Sequence, residues 1–264
     1  MTKKRISLLQ VPIDLVSQDD VLEKIKIYLS TPPRFTHIVS INPENCVIAQ
    51  QNPAFLSVCQ HADLALTDGI GIVFAAWLLG FPTPKRIPGS ILLPCLLELA
   101  GQMSSTALLI GSQANLAEEI AKCYSQSYPE ATFIGIKGYE NKMSPTQKEE
   151  EAIEAIVRTT RPHFVFVAFG SPYQELWINT HKSLLQTSIC MGVGGGFDYL
   201  SGAAQKPPES IRSLGLEWLY RLIKQPWRAS RQLMRLPLFI ALILKQYFWC
   251  IMHPRNEKKS PHCS

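Results

Sequence analysis

The sequence lacks both the residue spacings that bind structural metals and the leader that directs a chain to secretion. Its seven cysteines include no Cys-x-x-Cys pair, and its six histidines are scattered without the spacing of a zinc site. Residues 1–11 are basic and then apolar for only a few positions, which does not make a secretory signal. These absences, with the odd number of cysteines, indicate a reducing, cytoplasmic setting.

Cofactor fingerprints are missing as well. Gly69-Ile70-Gly71 and Gly192-Val193-Gly194 each begin a Gly-x-Gly-x-x-Gly motif, but Phe74 and Phe197 replace the third glycine. The residue about 20 positions after the first motif is Ile91, not the acid that would bind a ribose hydroxyl. The sequence has neither a Walker-type phosphate loop nor an Asp-x-Asp metal motif. We therefore expect no dinucleotide cofactor and no metal.

Charge is unevenly distributed along the 264 residues, although the net charge is only +5. Residues 1–211 contain 16 Lys and Arg against 19 Asp and Glu, whereas residues 212–264 contain 10 against 2. The partner of this basic segment is therefore anionic, and lipid, nucleic acid and a diphosphate are the candidates. Leu, Ile and Phe are interleaved with the cations, which disfavours nucleic acid.

Short apolar runs alternate with helical stretches over the first 200 residues. Strands are predicted at 6–11, 36–41, 63–67, 106–110, 133–136, 164–169 and 189–193. Helices are predicted at 19–30, 43–60, 70–79, 114–127, 145–160 and from Gln174 onward. Strands separated by helices of this length predict an α/β fold, with a parallel sheet covered by helices on both faces.

The pattern changes after residue 205, where Pro207-Pro208 interrupts the chain. Residues 215–235 are typical of a basic amphipathic helix interrupted at Pro226, and an apolar run over 236–252 is broken by Pro237. This run is shorter than a membrane-spanning helix requires, so we expect it to lie in the membrane interface, and packing on the same core or on a subunit is the alternative. We divide the chain into a sheet domain at 1–205, a helical membrane-docking appendage at 206–252 and a disordered tail at 253–264.

Several predicted strands end in small or polar residues just before a helix. These are Asp68-Gly69, Gly111-Ser112, Gly170-Ser171-Pro172 and Gly194-Gly195-Gly196. In open α/β sheets, ligands bind beyond the carboxyl ends of the strands, where helix N-termini attract anions. The pattern favours a phosphate-bearing ligand, but each glycine could also serve an ordinary turn. Asn42, Asp68 and Asp198 could likewise be only helix or turn caps.

The ordered set of motifs in this chain resembles the WecG/TagA/CpsF family, glycosyltransferase family 26, from about Leu8 to Arg235. The resemblance is carried by Ser40-Ile-Asn42-Pro43-Glu44, Asp68-Gly69, Arg86-Ile-Pro88-Gly89, Ser171–Glu175, Gly194–Asp198 and Gly215–Arg221. It implies a Rossmann-like sheet domain with a C-terminal appendage that docks on the membrane. It also implies inverting transfer from a UDP-sugar (N-acetylmannosamine, its uronic acid or a hexose) to a sugar linked to polyprenyl diphosphate.

The resemblance also assigns roles to individual residues. Asp68 matches the catalytic acid of the family, and Ser40 and Asn42 match its Thr-x-Asn pair. Donor or acceptor binding falls to Arg86, Gln174, Gly194, Gly195, Arg221, Arg228 and Arg231. The chain departs from the family pattern at Ile91, where an Asp is common, at Lys206 in place of an Arg, and at Gln225 in place of a Glu.

These roles agree with the chemistry of an inverting transfer, in which one carboxylate removes the acceptor proton and positive charge stabilises the departing UDP. We expect Arg side chains and helix ends to take the place of a metal. The expected partners are a UDP-sugar, the lipid-linked acceptor and an anionic membrane at the cytoplasmic face, with homo-oligomers left open. A weakly active paralogue or non-catalytic docking module, and a Rossmann-type enzyme that modifies nucleotide sugars, are the alternatives.

Overall fold

The computed structural model describes residues 4–31, 34–111, 115–205, 207–213, 215–224 and 229–253, apart from the side chains of 213, 221 and 229–233. Six parallel strands form one sheet in the order β4-β3-β8-β7-β5-β6. They are β3 (Thr36–Ile41), β4 (Leu64–Thr67), β5 (Thr106–Gly111), β6 (Thr132–Ile136), β7 (Phe164–Ala168) and β8 (Ile189–Gly192). The predicted parallel sheet is confirmed.

Helices cover both faces of the sheet. They are α1 (Gln18–Ser30), α2 (Pro43–Gln51), α3 (Pro53–His61), α4 (Ile70–Leu78), α5 (Gly89–Gln102), α6 (Leu116–Ser127), α7 (Gln147–Thr160), α8 (Tyr173–Thr180) and α9 (Gly196–Leu200). Successive residues of a strand point to opposite faces. Accordingly, Ile38 packs in the core that includes α1, α5 and α6, whereas Val39 packs in the core that includes α2, α3 and α4. The Rossmann-like α/β fold is confirmed.

The first predicted strand, at 6–11, is wrong, because this segment turns back on itself. Strands β1 (Arg5–Leu8) and β2 (Val11–Asp14) form a separate antiparallel hairpin, and Leu9 and Gln10 have φ of 51° and 64° at its turn. Asp14 anchors the hairpin, since its carboxylate accepts from Arg5 Nε at 2.6 Å and from the backbone N–H of Ala65 at 2.8 Å. The hairpin thereby packs beside β4 without joining the large sheet.

The helix predicted at 43–60 is two helices. Asn52 ends α2 and caps α3, because its side chain accepts from the Phe55 N–H at 3.0 Å. Pro53 suits the first turn of α3, where a missing N–H costs nothing. Helix α5 was not predicted at all. Its buried Leu92, Leu93, Leu96 and Leu97 lie on one side, but Ile91 and Cys95 make much of the other side apolar as well. The helix therefore has too few polar residues to show a helical period.

The C-terminal appendage contains α10 (Glu209–Ser213), α11 (Glu217–Lys224) and α12 (Ala229–Met252). The predicted start at Gly215 is wrong, since Gly215 has a φ of +73° and lies in the turn before α11. The predicted break at Pro237 is also wrong, because α12 continues through it. The predicted interruption at Pro226 lies outside the described residues, as does the predicted tail beyond His253.

Helix α12 packs directly on the sheet domain. Phe239 and Ile243 are buried in the core that contains α2 and the hairpin, and Gln246 Oε1 accepts from the Leu9 N–H at 3.1 Å. These contacts follow Pro237 and stabilise the helix beyond it, which offsets the backbone hydrogen bond that a proline removes. One side of α12 therefore belongs to the protein core.

Candidate active site

Four neighbouring strands bring the predicted site residues to one edge of the sheet. Asp68 follows β4, Asn42 follows β3, Gly194 lies two residues after β8, and the loop from β7 leads into Gln174 on α8. These strands are adjacent in the sheet and parallel, so their carboxyl ends share one edge. This is where ligands bind in open α/β folds.

Asp68 and Asn42 lie close together at this edge, in the turns that follow β4 and β3. The Asp68 N–H donates to the Ile41 carbonyl at 2.9 Å, which joins the ends of β4 and β3. A Cβ atom on Gly69 would lie 2.9 Å from Pro43 Cδ and 3.5 Å from Asn42 Cβ. Only glycine allows this close approach, so the backbone after Asp68 packs against the Asn42 turn.

The structure distinguishes the two capping alternatives. Asn42 is a helix cap, since its Oδ1 accepts from the Asn45 N–H at 2.9 Å at the start of α2. Asp68 does not cap α4, because Gly69 holds the N-cap position and α4 has no side-chain cap hydrogen bond. Asp68 is partly exposed. Its predicted role as the catalytic acid requires such access and stays a prediction.

Ser40 lies near the carboxyl end of β3, two residues before Asn42. Its hydroxyl is buried and has no hydrogen-bond partner among the described residues, and its Oγ would be 3.5 Å from a Cβ atom on Gly89. The Ser40 carbonyl accepts from Asn45 Nδ2 at 2.7 Å. A buried hydroxyl without a partner is rare and leaves a hydrogen bond for a ligand or water. The pattern Ser-x-Asn-Pro thus places two polar side chains around the start of α2.

Gln174 joins the loops after β7 and β8. Its Oε1 accepts from the Gly170 N–H at 2.9 Å and from the Gly194 N–H at 3.0 Å. Gln174 Nε2 lies 2.5 Å from where a Cβ atom on Gly192 would be, so the side chain packs onto that glycine. The residue is only 4% exposed. Its geometry is that of a clamp between two glycine loops, and contact with a ligand remains a prediction.

A buried carboxyl group supports the clamp. Glu175 Oε1 accepts from Gln174 Nε2 at 2.7 Å and from Ser171 Oγ at 2.8 Å, and its Oε2 has no partner among the described residues. Burial raises the pKa of Glu175 above its ordinary value, and the two hydrogen bonds oppose this shift only in part. The hydrogen bond from Gln174 fixes the amide, so that its oxygen faces both glycines. Sequence reasoning assigned no role to Glu175, although it ends the Ser171–Glu175 motif.

Arg86 connects the sheet domain with the appendage. The neighbouring Ile87 N–H donates to the Thr67 carbonyl at 2.6 Å, which fixes the loop against the end of β4. The Arg86 guanidinium donates to the Arg212 carbonyl of α10. A Cβ atom on Gly215 would lie 2.8 Å from Arg86 Nη1, so any side chain there would displace the guanidinium.

A second arginine contact of this kind was not predicted. Arg235 of α12 forms an ion pair with Glu44 in the first turn of α2, two residues after Asn42. The sequence signal was present, because Glu44 belongs to the Ser-x-Asn-Pro-Glu motif. Less is described of the three predicted arginines of the appendage. Arg228 lies outside the described residues, and only the backbone positions of Arg221 on α11 and Arg231 on α12 are described.

Ile91, where the chain departs from the family pattern, lines a small cavity beside the site. This cavity measures about 160 Å³ and is lined by Ser90, Ile91, Pro94, Tyr199, Pro207, Arg212 and Glu217. Glu217 Oε1 is buried there without a hydrogen-bond partner among the described residues. Ile91 therefore lies between α5 and the appendage and gives this cavity an apolar wall. The departures at Lys206 and Gln225 fall outside the described residues.

Among the described residues, one cluster has metal-ligating side chains, and it lies away from Asp68. Glu150 and Glu154 of α7 approach His181, with ligand atoms within 4.8 Å of one another, beside a cavity of about 490 Å³ between α7 and α8. His181 Nε2 is 2.5 Å from Glu150 Oε1, and Arg158 pairs with Glu154 at 3.0 Å. These are ion-pair distances, and the arginine competes with any cation. The prediction that the reaction uses no metal stays a prediction.

A Rossmann-like sheet with an aspartate and two hydrogen-bonded glycine loops at its carboxyl edge is typical of an α/β enzyme that binds a phosphate-bearing ligand. The chain belongs to the Glycosyl transferase WecG/TagA/CpsF family, whose family model matches residues 6–251. The resemblance drawn from the motifs is thereby confirmed, and the protein is a glycosyltransferase.

Curated relatives agree with this assignment. The chain is 30% identical over 244 residues to the N-acetylglucosaminyldiphosphoundecaprenol N-acetyl-beta-D-mannosaminyltransferase of Staphylococcus aureus strain MW2, covering 91% of this chain and 92% of the relative. The same enzyme of strain NCTC 8325 matches with the same identity and coverage. The similarity therefore extends over the sheet domain and the appendage together.

Proposed function

We propose that this enzyme transfers an N-acetylmannosamine-type sugar from UDP to an N-acetylglucosamine carried on polyprenyl diphosphate, with inversion, in the synthesis of a cell-surface polysaccharide. The relatives act on such an acceptor and transfer such a sugar, as their name states. The observation that carries the proposal is the position of Asp68, which is partly exposed at the carboxyl end of β4 and is followed by a glycine packed against the Asn42 turn.

The proposed reaction is a single displacement. Asp68 removes the proton from the acceptor hydroxyl as its oxygen bonds to C1 of the donor sugar on the face opposite UDP. The bond between C1 and the phosphate oxygen breaks, and its electron pair leaves with UDP. Ser40 and Asn42 orient the reacting sugars beside this carboxylate.

Positive charge takes the place of a metal in this proposal. Arg86 stabilises the charge on the diphosphate from its position between β4 and the appendage, together with Arg221, Arg228 and Arg231. The loop at Gly194 and Gly195 lies at the same edge, and the Gln174 clamp determines its shape.

Attachment to the cytoplasmic face of the membrane is part of the proposal. Within the described residues, Met234–Met252 is 19 residues long and apolar enough to cross a membrane, and 11% of it is buried. Phe239, Ile243 and Gln246 hold one side of this helix on the sheet domain, and a spanning helix would have to give up those contacts. A peripheral, interfacial position keeps the contacts and places the other apolar side in lipid.

The test is transfer by Asp68→Asn on UDP-N-acetylmannosamine and a short-chain polyprenyl-diphosphate-linked N-acetylglucosamine. Loss of the base should lower turnover by roughly 10²–10⁴-fold, while UDP affinity and folding are retained. Asp19→Asn, on the exposed side of α1, is the matched control and should keep full turnover. Near-normal transfer by Asp68→Asn would remove Asp68 from the mechanism.

The alternative is a weakly active or differently specific paralogue, and the position of Ile91 favours it. The family commonly has an acid there, whereas Ile91 gives the cavity beside the appendage an apolar side chain. A screen of UDP-sugars with the wild-type enzyme separates the possibilities. Transfer from another donor would correct the sugar, and UDP binding without transfer from any donor would favour the inactive paralogue.

A further inference from the structure

The outer face of α4 is apolar and open to solvent. Phe74 is 60% exposed and Trp77 is 63% exposed, and their ring centroids are 5.4 Å apart. Ile70 is also exposed and lies on the same side of the helix, one turn before Phe74. The inner face is different, since Ile72, Ala75 and Ala76 are fully buried. Adjacent exposed aromatic side chains of this kind mark a surface that contacts something apolar.

Helix α4 lies between the helices of the appendage. A Cβ atom on Gly71 would be 3.8 Å from Phe239 of α12, and a Cβ atom on Gly215, just before α11, would be 2.7 Å from Ile70. Helices α11 and α12 also expose apolar side chains, namely Trp218, Leu219, Ile223, Met234, Leu238, Ile240, Leu244, Phe248, Trp249, Ile251 and Met252. The exposed apolar residues thus come from three adjoining helices, one of which belongs to the sheet domain.

The charge around these helices indicates an anionic lipid surface. Lys85 in the loop after α4, Lys224 on α11 and Lys245 on α12 are exposed. Aromatic rings beside lysines suit the headgroup region of a bilayer, where the rings enter and the cations face anionic lipids. A second copy of this chain fits less well. A twofold contact would bring together two segments that each contain 10 Lys and Arg against 2 Asp and Glu.

We propose that α4 is a second membrane contact, in which Phe74 and Trp77 insert into the headgroup region of an anionic bilayer beside α12. The sheet domain then touches the membrane directly instead of being tethered through the appendage alone. Because α4 begins two residues after Asp68, this contact turns the ligand edge of the sheet toward the lipid surface. A lipid-linked acceptor could then reach Asp68 without leaving the bilayer.

The test measures binding of the full-length protein to vesicles of phosphatidylethanolamine and phosphatidylglycerol by co-sedimentation. The double variant Phe74→Ser/Trp77→Ser should lower the partition coefficient by about tenfold or more, since each buried ring contributes apolar area. Trp77→Phe keeps an apolar ring and should bind as the wild type does. Ile27→Ser is the matched control, because Ile27 is 54% exposed on α1, on the other side of the sheet.

The outcomes separate this proposal from the catalytic one, because vesicle binding requires no sugar transfer. Retained transfer to a soluble acceptor, with weakened vesicle binding, supports the second contact. Wild-type vesicle binding by the double variant would overturn it. A shift of the double variant to a smaller oligomer in size-exclusion chromatography, with vesicle binding unchanged, would instead assign α4 to an interface between copies.

Discussion

The Gln174 clamp makes a prediction whose size can be worked out from its hydrogen bonds. Gln174→Met keeps the length of the side chain and its packing against Gly192, but it removes the acceptor for two backbone N–H groups. The Gly170 and Gly194 N–H groups, now bonded at 2.9 Å and 3.0 Å, would lose their partner. Glu175 would lose the donor at 2.7 Å as well.

Each buried N–H group without an acceptor costs about 1–3 kcal/mol. Both glycine loops are only partly buried, so water recovers some of this loss, and we expect a total destabilisation of about 2–3 kcal/mol. For a chain of this size that corresponds to a fall in Tm of roughly 5–10 °C. The loops also lose their common support, and we expect KM for the UDP-sugar to rise about tenfold with a smaller change in kcat.

Urea unfolding and steady-state kinetics check these two effects separately. Gln147→Met on α7 is the control, because the Gln147 side chain makes only an exposed hydrogen bond to Glu151 and its loss should change stability by less than about 0.5 kcal/mol. Wild-type stability of Gln174→Met would refute the clamp. A destabilised variant with an unchanged donor KM would show that the clamp is structural and that its loops do not bind the donor.

Two further predictions concern attachment and pH. Moderate salt should weaken binding to anionic vesicles without releasing the enzyme, and alkaline carbonate should strip much of it, as pelleting assays can show; resistance to both would mean that α12 crosses the bilayer. Burial lowers the pKa of His37 to about 3, so the folded chain keeps it neutral while the unfolded chain binds a proton below about pH 6.5. Stability should therefore fall as pH drops from about 6.5 toward 3, by at most roughly 1.4 kcal/mol per pH unit. His37→Leu should remove this part of the slope in urea titrations, and an unchanged slope would exclude His37 as its source.

The large sheet was predictable because its strands carry a strong local signal. Buried parallel strands are apolar on both faces and end in glycine or polar residues, and 36–41 agrees with β3 residue for residue. The sequence pattern is less informative at tight turns without glycine and in helices with few polar residues. The hairpin turn at Leu9 and Gln10 contains no glycine, and α5 has too little polar surface to show a helical period.

The sequence motifs place Asn42, Asp68 and Gly194 just after strands, and the structure brings all three to one edge of the sheet. The hydrogen bonds that these residues make within the protein were less predictable. Whether Asn42 caps a helix and Asp68 does not depends on which residue takes the N-cap position, and a shift of one residue would reverse the result. Gln174 shows the same limit, because its clamp joins loops that follow two different strands.

Contacts between residues that are far apart in the sequence could not be predicted from local motifs. Arg86 and Arg212 are 126 residues apart, and Arg235 and Glu44 are 191 apart, yet each pair joins the sheet domain to the appendage at the ligand edge. A tether that served only to hold the enzyme on lipid would have no need of such contacts. Since Arg86 is a predicted donor-binding residue, the position of α10 determines where its guanidinium lies. Arg235 joins α12 to the start of α2 in the same way, so the appendage is fixed at two places on this edge.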